Sequence, residues 1–193
     1  MEKLLVHVCC CHCAAYSLKH FSQTYAVTAY WYNPNIGPSQ EYLARKQAMQ
    51  VYANIDGIDL VNSQNPDFES FLKWQKEAVN RCAFCFYIRL KQTAEYAKNN
   101  GFTAFSTSLL ISPHQKHELL KEIGDQIALE EGVNFIYEDL RRHYSQSRTI
   151  TKPLALYVQR YCGCLLSEKE AESDPLRHDL PESLAKYESN IRW

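Results

Sequence analysis

Residues 3–13 read KLLVHVCCCHC. The first six have the length and composition of one buried strand, bounded on its far side by cysteines instead of a turn residue. Four cysteines then fall within five positions: Cys9, Cys10, Cys11 and Cys13. Working outward, a helical stretch follows at about 13–22, with Tyr16, Leu18 and Phe21 as inward positions. YAVTAYWY, residues 25–32, is β-branched and aromatic and reads as a second strand that stops at Asn33-Pro34-Asn35. Strand and helix keep alternating to the end of the second half. The expected helices lie at about 40–54, 68–79, 82–99, 115–129 and 149–160. The expected strands lie at about 57–61, 102–108 and 133–138. That order predicts an α/β fold: a Rossmann-like, mainly parallel sheet of about five strands flanked by helices.

Within the helix at 40–54, capped by Ser39, the apolar spacing puts Tyr42, Leu43, Ala44, Met49, Val51 and Tyr52 inward. Asn65-Pro66-Asp67 opens the helix that follows. The segment from Ser167 is an acidic tail, with seven Asp or Glu against four Lys or Arg, and a last helix is expected at about 181–189. The 193 residues are read as a single catalytic domain.

Composition excludes several classes. A chain of 193 residues with 46% hydrophobic residues can bury roughly 70% of its unfolded surface without a staple. Its 22% of charged residues is ordinary for a globular protein. No apolar window approaches a membrane span, and the N-terminal apolar run is too short for a signal peptide. A cytoplasmic protein with no membrane partner is expected. A net charge of −1 leaves no global footprint for nucleic acid.

All eight cysteines fall in three groups: Cys9 to Cys13, Cys82 with Cys85, and Cys162 with Cys164. Core cysteines would scatter, and disulfides are disfavoured in a reducing compartment. The grouping points to metal or cluster ligation. One structural zinc takes four ligands and leaves half of these thiols over. Cys10–Cys13 and Cys82–Cys85 resemble a zinc ribbon, but 68 residues separate them, against about 15–20 in a compact ribbon. An iron–sulfur cluster with a second metal uses the surplus. In parallel sheets the ligand site lies beyond the carboxyl ends of the strands. Cys9 to Cys13, Asn33-Pro34, TSLLISP and Asp139 with Arg141 all follow strands, so one site at one sheet edge is expected there. Helices carrying the other two cysteine pairs would reach it.

With those segments in view, the chain resembles the QueH-type epoxyqueuosine reductases from about Leu4 to Ser167. The resemblance is carried by LLVHVCC with Cys13, YNPNI with Glu41, Tyr42 and Arg45, and RCAFC leading into RLKQTAEYA. It continues through GFTAFSTSLLISP, GVNFIYEDLRR and YVQRYCGCLLS. It implies a sheet related to the nucleotide α-hydrolase group. It also implies reduction of epoxyqueuosine to queuosine at the wobble base of tRNA, without cobalamin. The implied cofactors are a 4Fe-4S cluster and an adjacent metal ion, taken to be iron. The family usually reads Cys-Cys-Ala-Pro-Cys in the first group, where this chain has Cys11 and His12. An aspartate is common in place of Thr103. Cys9, Cys10, Cys13, Cys82, Cys85, Cys162 and Cys164 therefore carry over as ligands, and Cys11 does not. Which of them hold the cluster and which the second metal stays open.

Removing an epoxide oxygen takes two electrons, which no side chain supplies reversibly, so an external electron donor is implied. Asp139, at a strand end beside Arg141, is the expected proton donor or water-orienting group, with a plain Asp–Arg pair as the alternative. Arg81, Arg141 and Arg160 are candidate counter-charges. Asn33, Tyr42, Arg45, Ser112, Tyr157 and Gln159 lie in the motif segments and are the candidate substrate-binding residues. His12 is expected to line the site, and His114 and His117 to be solvated. Between Glu138 and Arg160 five basic residues face two acidic ones, a local surplus suited to anticodon-loop phosphates. The competing readings are a tRNA sulfur-transfer enzyme and a zinc-stabilised RNA-binding module. No phosphate-binding glycine loop follows the first strand, which weighs against ATP-dependent thiolation.

Overall fold

The structure, a computed structural model, describes residues 1–64 and 68–173. The helix-opening Asn65-Pro66-Asp67 and the tail helix at 181–189 lie outside the described residues. Five strands form one sheet: β1 (Lys3–Val8), β2 (Ala26–Trp31), β3 (Leu60–Asn62), β4 (Ala104–Thr107) and β5 (Asn134–Phe135). Their spatial order is β3-β2-β1-β4-β5, and every pairing is parallel. β1 is central, and from Leu4 to Val8 every residue is buried, as a strand covered on both faces requires.

The chain runs outward from β1 to β3, then returns to the other side of β1 for β4 and β5. The order therefore reverses between β1 and β4, which is where open α/β sheets place their ligands. His7 pins this seam. Its Nδ1 lies 3.0 Å from the Thr107 hydroxyl and its Nε2 3.2 Å from the Tyr32 carbonyl. Burial, then the nearby Arg89 charge, pulls the imidazole down to about 4, so it is neutral.

Among the described residues seven helices flank the sheet: α1 (Cys11–Phe21), α2 (Ser39–Asp56), α3 (Phe68–Glu77), α4 (Arg81–Asn99), α5 (His117–Glu131), α6 (Tyr144–Thr151) and α7 (Leu165–Glu172). Three differ from the expectation. The helix read at 149–160 starts earlier and ends at Thr151, followed by a single 3-10 turn over Lys152–Leu154. Pro153 removes a donor there and Ala155 turns left-handed at φ 49°, so the helix cannot continue. Residues 155–164 are then free to run as a loop carrying Cys162 and Cys164. On α2, Leu43 and Val51 are exposed, while Glu41 and Arg45 are buried. α1 begins at Cys11, two residues earlier than expected, so Cys11 lies inside its first turn. The strand read at 133–138 shortens to two residues, and the one at 102–108 to four, passing into a 3-10 turn over Ser108–Ile111.

Candidate metal centre

β1 delivers Cys9 and Cys10 to the switch point, and the first turn of α1 brings Cys13 back over them. The Cys10 sulfur caps the helix, accepting from the Cys13 N–H at 3.3 Å. The thiols of Cys9, Cys10 and Cys13 touch one another and are buried. Hydrogen bonds from Cys10 and Cys13 hold the Cys9 thiol well below its usual range. Burial, then Cys13 and Cys9 beside it, pushes Cys10 up. Cys13 is also raised, by Cys9 and by burial, in spite of its bond with Cys10. Within the triplet, Cys9 is therefore the thiol whose deprotonation the other two favour. Cys11 points elsewhere: it is buried in the core, lines neither cavity described below, and burial pushes its thiol up to about 12.

The second pair sits on the first turn of α4. The Asn80 side chain caps that helix, accepting from the Cys82 and Ala83 N–H groups at 3.1 Å each. Burial pushes the Cys85 thiol up to about 12. The third pair is placed by α2. Arg45, 2% exposed, pairs with Glu41 and donates to the carbonyls of Cys162 (3.1 Å) and Tyr161 (2.9 Å). Tyr157 donates to the other Glu41 oxygen, and the Tyr161 hydroxyl donates to the Gly37 carbonyl at 2.8 Å. Between the two cysteines, Gly163 has φ 137°, and a Cβ there would come within 3.0 Å of Asn35 and Ile36. Only glycine lets the loop pass this closely.

Two adjoining cavities result. The smaller, about 190 Å³, is lined by Cys82, Cys85, Cys162 and Cys164 together with Arg89 and Asn35. The larger, about 380 Å³, is lined by Cys9, Cys13 and Cys162, and its mouth carries Tyr144, Arg148 and Arg160. Cys162, His114, Gln115, Ser167 and Glu170 line both. The structure therefore brings together all three cysteine groups, and all eight thiols are unbridged. Among the described residues no three His, Cys, Asp or Glu side chains already converge as a metal would hold them. The thiols share the walls of the two cavities.

The expected substrate residues divide. Gln159 and Ser112 line the larger cavity, and the Gln159 amide donates to the Cys10 sulfur at 2.8 Å. Arg45 lines the larger cavity too and also holds the cysteine loop, whereas Tyr157 supports that loop through Glu41 and lines neither cavity. Asn33 donates to the Val8 carbonyl at 2.9 Å, tying the ends of β2 and β1 together. Asn33 and Tyr42 line a separate groove beside β3, where Tyr42 accepts from the Trp31 indole at 2.9 Å.

Asp139 and Arg141 require a correction. They bind each other through both carboxylate oxygens at the surface, with side chains 41% and 46% exposed, and line neither cysteine cavity. The guanidinium holds the Asp139 carboxyl far below the usual range, so it carries no proton at neutral pH. The chain leaves β5 after two residues, which turns this segment away from the site. His117 is also not solvated: it is buried, and its Nε2 donates to the Ser112 carbonyl at 3.0 Å. His114 is exposed and lines both cavities. His12 is buried against Thr151 and the Tyr157 carbonyl, away from the thiols. Arg89 and Asn35 had no reading from sequence; both lie within quoted motifs, but their burial appears only in the fold.

Comparison with known proteins adds the following. The family model described as "Epoxyqueuosine reductase QueH" matches residues 4–170. A protein of that name from Dehalococcoides mccartyi is 47% identical, covering 90% of this chain and 96% of the relative. Another from Thermotoga maritima is 32% identical, covering 89% and 96%. Among solved structures, the U34-tRNA thiolase NcsA from Methanococcus maripaludis, with its 4Fe-4S cluster, superposes at a TM-score of 0.55. It is 17% identical, and the match covers 99% of this chain and 73% of the thiolase. At that identity the likeness is one of fold.

Proposed function

The chain belongs to the epoxyqueuosine reductase QueH family, and from that premise we infer that it reduces epoxyqueuosine to queuosine in tRNA. The observation that carries the reading is the convergence of six thiols, from three distant segments, on two adjoining cavities at the sheet's switch point, with Cys10 in contact with two of them. The reaction takes two electrons and two protons, breaks both epoxide C–O bonds, forms one C=C bond and releases water. It needs an external electron donor. The protein acts as one catalytic unit, and its free thiols suit a cytoplasmic setting.

The donor set fits the implied cofactors. Four thiols line the smaller cavity, the number a 4Fe-4S cluster takes. Cys9, Cys10 and Cys13, whose mutual hydrogen bonds favour the thiolate form of Cys9, suit an adjacent iron ion. When bound, these groups supply single electrons and a Lewis-acidic contact for the epoxide oxygen. The chain's own residues do the rest. Tyr144 presents an aromatic wall at the mouth of the larger cavity, suited to stacking an extruded base. Arg148 and Arg160 beside it suit the flanking phosphates. Gln159 orients toward the Cys10 and Cys13 sulfurs and narrows the passage between base and thiols. Protons reach the departing oxygen from the titratable groups on that wall, His114 and Tyr144, and not from Asp139.

The test is elemental analysis and turnover on one sample. Protein purified without oxygen should hold iron and sulfide, at least about four of each per chain. With a strong reductant it should convert epoxyqueuosine in tRNA. A colourless zinc protein, or an iron-loaded sample that leaves the epoxide intact, would overturn the reading.

A further inference from the structure

Arg89 lies one helical turn after Cys85 on the buried face of α4. Its side chain is fully buried. Nε donates to the Cys85 carbonyl at 3.1 Å, and the guanidinium sits 5.9 Å from the Phe86 ring. The two terminal nitrogens, Nη1 and Nη2, make no hydrogen bond among the described residues. They belong to a side chain that lines the smaller cavity, with Cys82, Cys85, Cys162 and Cys164. Asn35 lines the same cavity, is 1% exposed, and has both side-chain polar atoms without a partner.

A buried guanidinium with unused donors is costly unless an anion meets it. A protein keeps such a group where the missing partner is a ligand. Here the donors and four thiols surround one space. Thiolates bound to iron, and the sulfides of a cluster, are acceptors of the matching sign. The Arg fork can reach two sulfurs at once, and the Asn35 amide a third.

Resting on the cofactor reading above, we propose that Arg89 is a positioning residue for the cluster: its terminal nitrogens hydrogen-bond to sulfur of the group held by Cys82, Cys85, Cys162 and Cys164, and raise its reduction potential. Reduction adds negative charge to the cluster. A fixed cation and N–H···S bonds favour the reduced form, because they stabilise the more negative state more.

The experiment is a redox titration followed by electron paramagnetic resonance, on wild type, Arg89→Gln and Arg89→Lys, each reconstituted anaerobically. Iron and sulfide content and circular dichroism are recorded on the same samples. R89Q should move the midpoint negative by at least a tenfold change in the oxidised-to-reduced ratio, 59 mV for one electron. R89K, which keeps the charge and loses the fork, should move it part of the way. A loaded variant with the wild-type midpoint overturns the proposal. So does R89K that fails to fold, since the side chain then serves the core and not a ligand. R89Q that folds but loses iron retained by R89K supports it. Wild type that holds no iron and sulfide defeats the cofactor reading itself and takes this proposal with it; loaded wild type with unmoved variants defeats this proposal alone.

Discussion

At Asp139 both carboxylate oxygens are held by one guanidinium in an exposed pair. Such pairs contribute about 0–1 kcal/mol, and this one lines neither cysteine cavity. Asp139→Asn is therefore expected to leave turnover within about twofold of wild type at equal iron content, and the urea midpoint nearly unchanged. A hundredfold loss of activity would put the carboxylate back in the reaction. Tyr157 behaves oppositely. Its hydroxyl is buried and donates to Glu41, so Tyr157→Phe leaves a buried carboxylate oxygen without a donor. The expected cost is about 1–3 kcal/mol, read by urea denaturation of the metal-free protein. The reactive thiols were legible because cysteine is rare and its grouping is local. Arg89 and Asn35 were not, because an unpaired donor is a property of surroundings that exist only after α4 meets the loop after β2. Asp139 misled because a strand's carboxyl end predicts the site only if the strand continues to it, and β5 stops after two residues.

Among the elements, α2 shows where periodicity fails. Its apolar spacing put Leu43 and Val51 inward, yet both are exposed, while Glu41 and Arg45 take the buried face. A charged pair reads as solvent-facing in any pattern of hydrophobicity. It is inside here because Arg45 gives its remaining donors to two loop carbonyls and Glu41 accepts from Tyr157. Arg45→Ala would strip one partner from a buried ion pair and is expected to cost about 3–5 kcal/mol. It should also unfasten the segment that carries Cys162 and Cys164. Hydrogen exchange should show lost protection near residues 161–163 while β1 and β2 stay protected. A uniform loss across the sheet would mean that Arg45 supports the core in general. The parallel direction of the strands, by contrast, followed from alternation alone, since helices between consecutive strands force parallel pairing. The loop at 155–164 was not readable as a loop until Pro153 and the left-handed Ala155 were seen to act together.

For the molecule as a whole, the sheet core and the proposed metal centre meet at Cys9, Cys10 and Cys13, which belong to the core cluster themselves. The sheet has its own buried core from Leu4 to Tyr157, so it needs no metal to form. The cysteine groups come from β1–α1, α4 and the loop before α7, and like-charged thiolates at close range repel, so the iron proposed there would hold them against one another. Ligand binding to the native state alone stabilises by about 4 kcal/mol when its concentration exceeds the dissociation constant a thousandfold. For a chain of this size that is a shift of about 10 °C in Tm. Removing iron with a chelator under anaerobic conditions should lower Tm by about that amount. Far-ultraviolet circular dichroism should stay close to that of the loaded protein, and exchange protection should fall mainly in the first turn of α4 and in residues 155–173. Loss of the helical signal together with iron would show the opposite arrangement, in which metal organises the fold. An unchanged Tm would show that the thiols do not bridge the three segments through iron, and the convergence of cavities at the β1–β4 seam would then need another occupant.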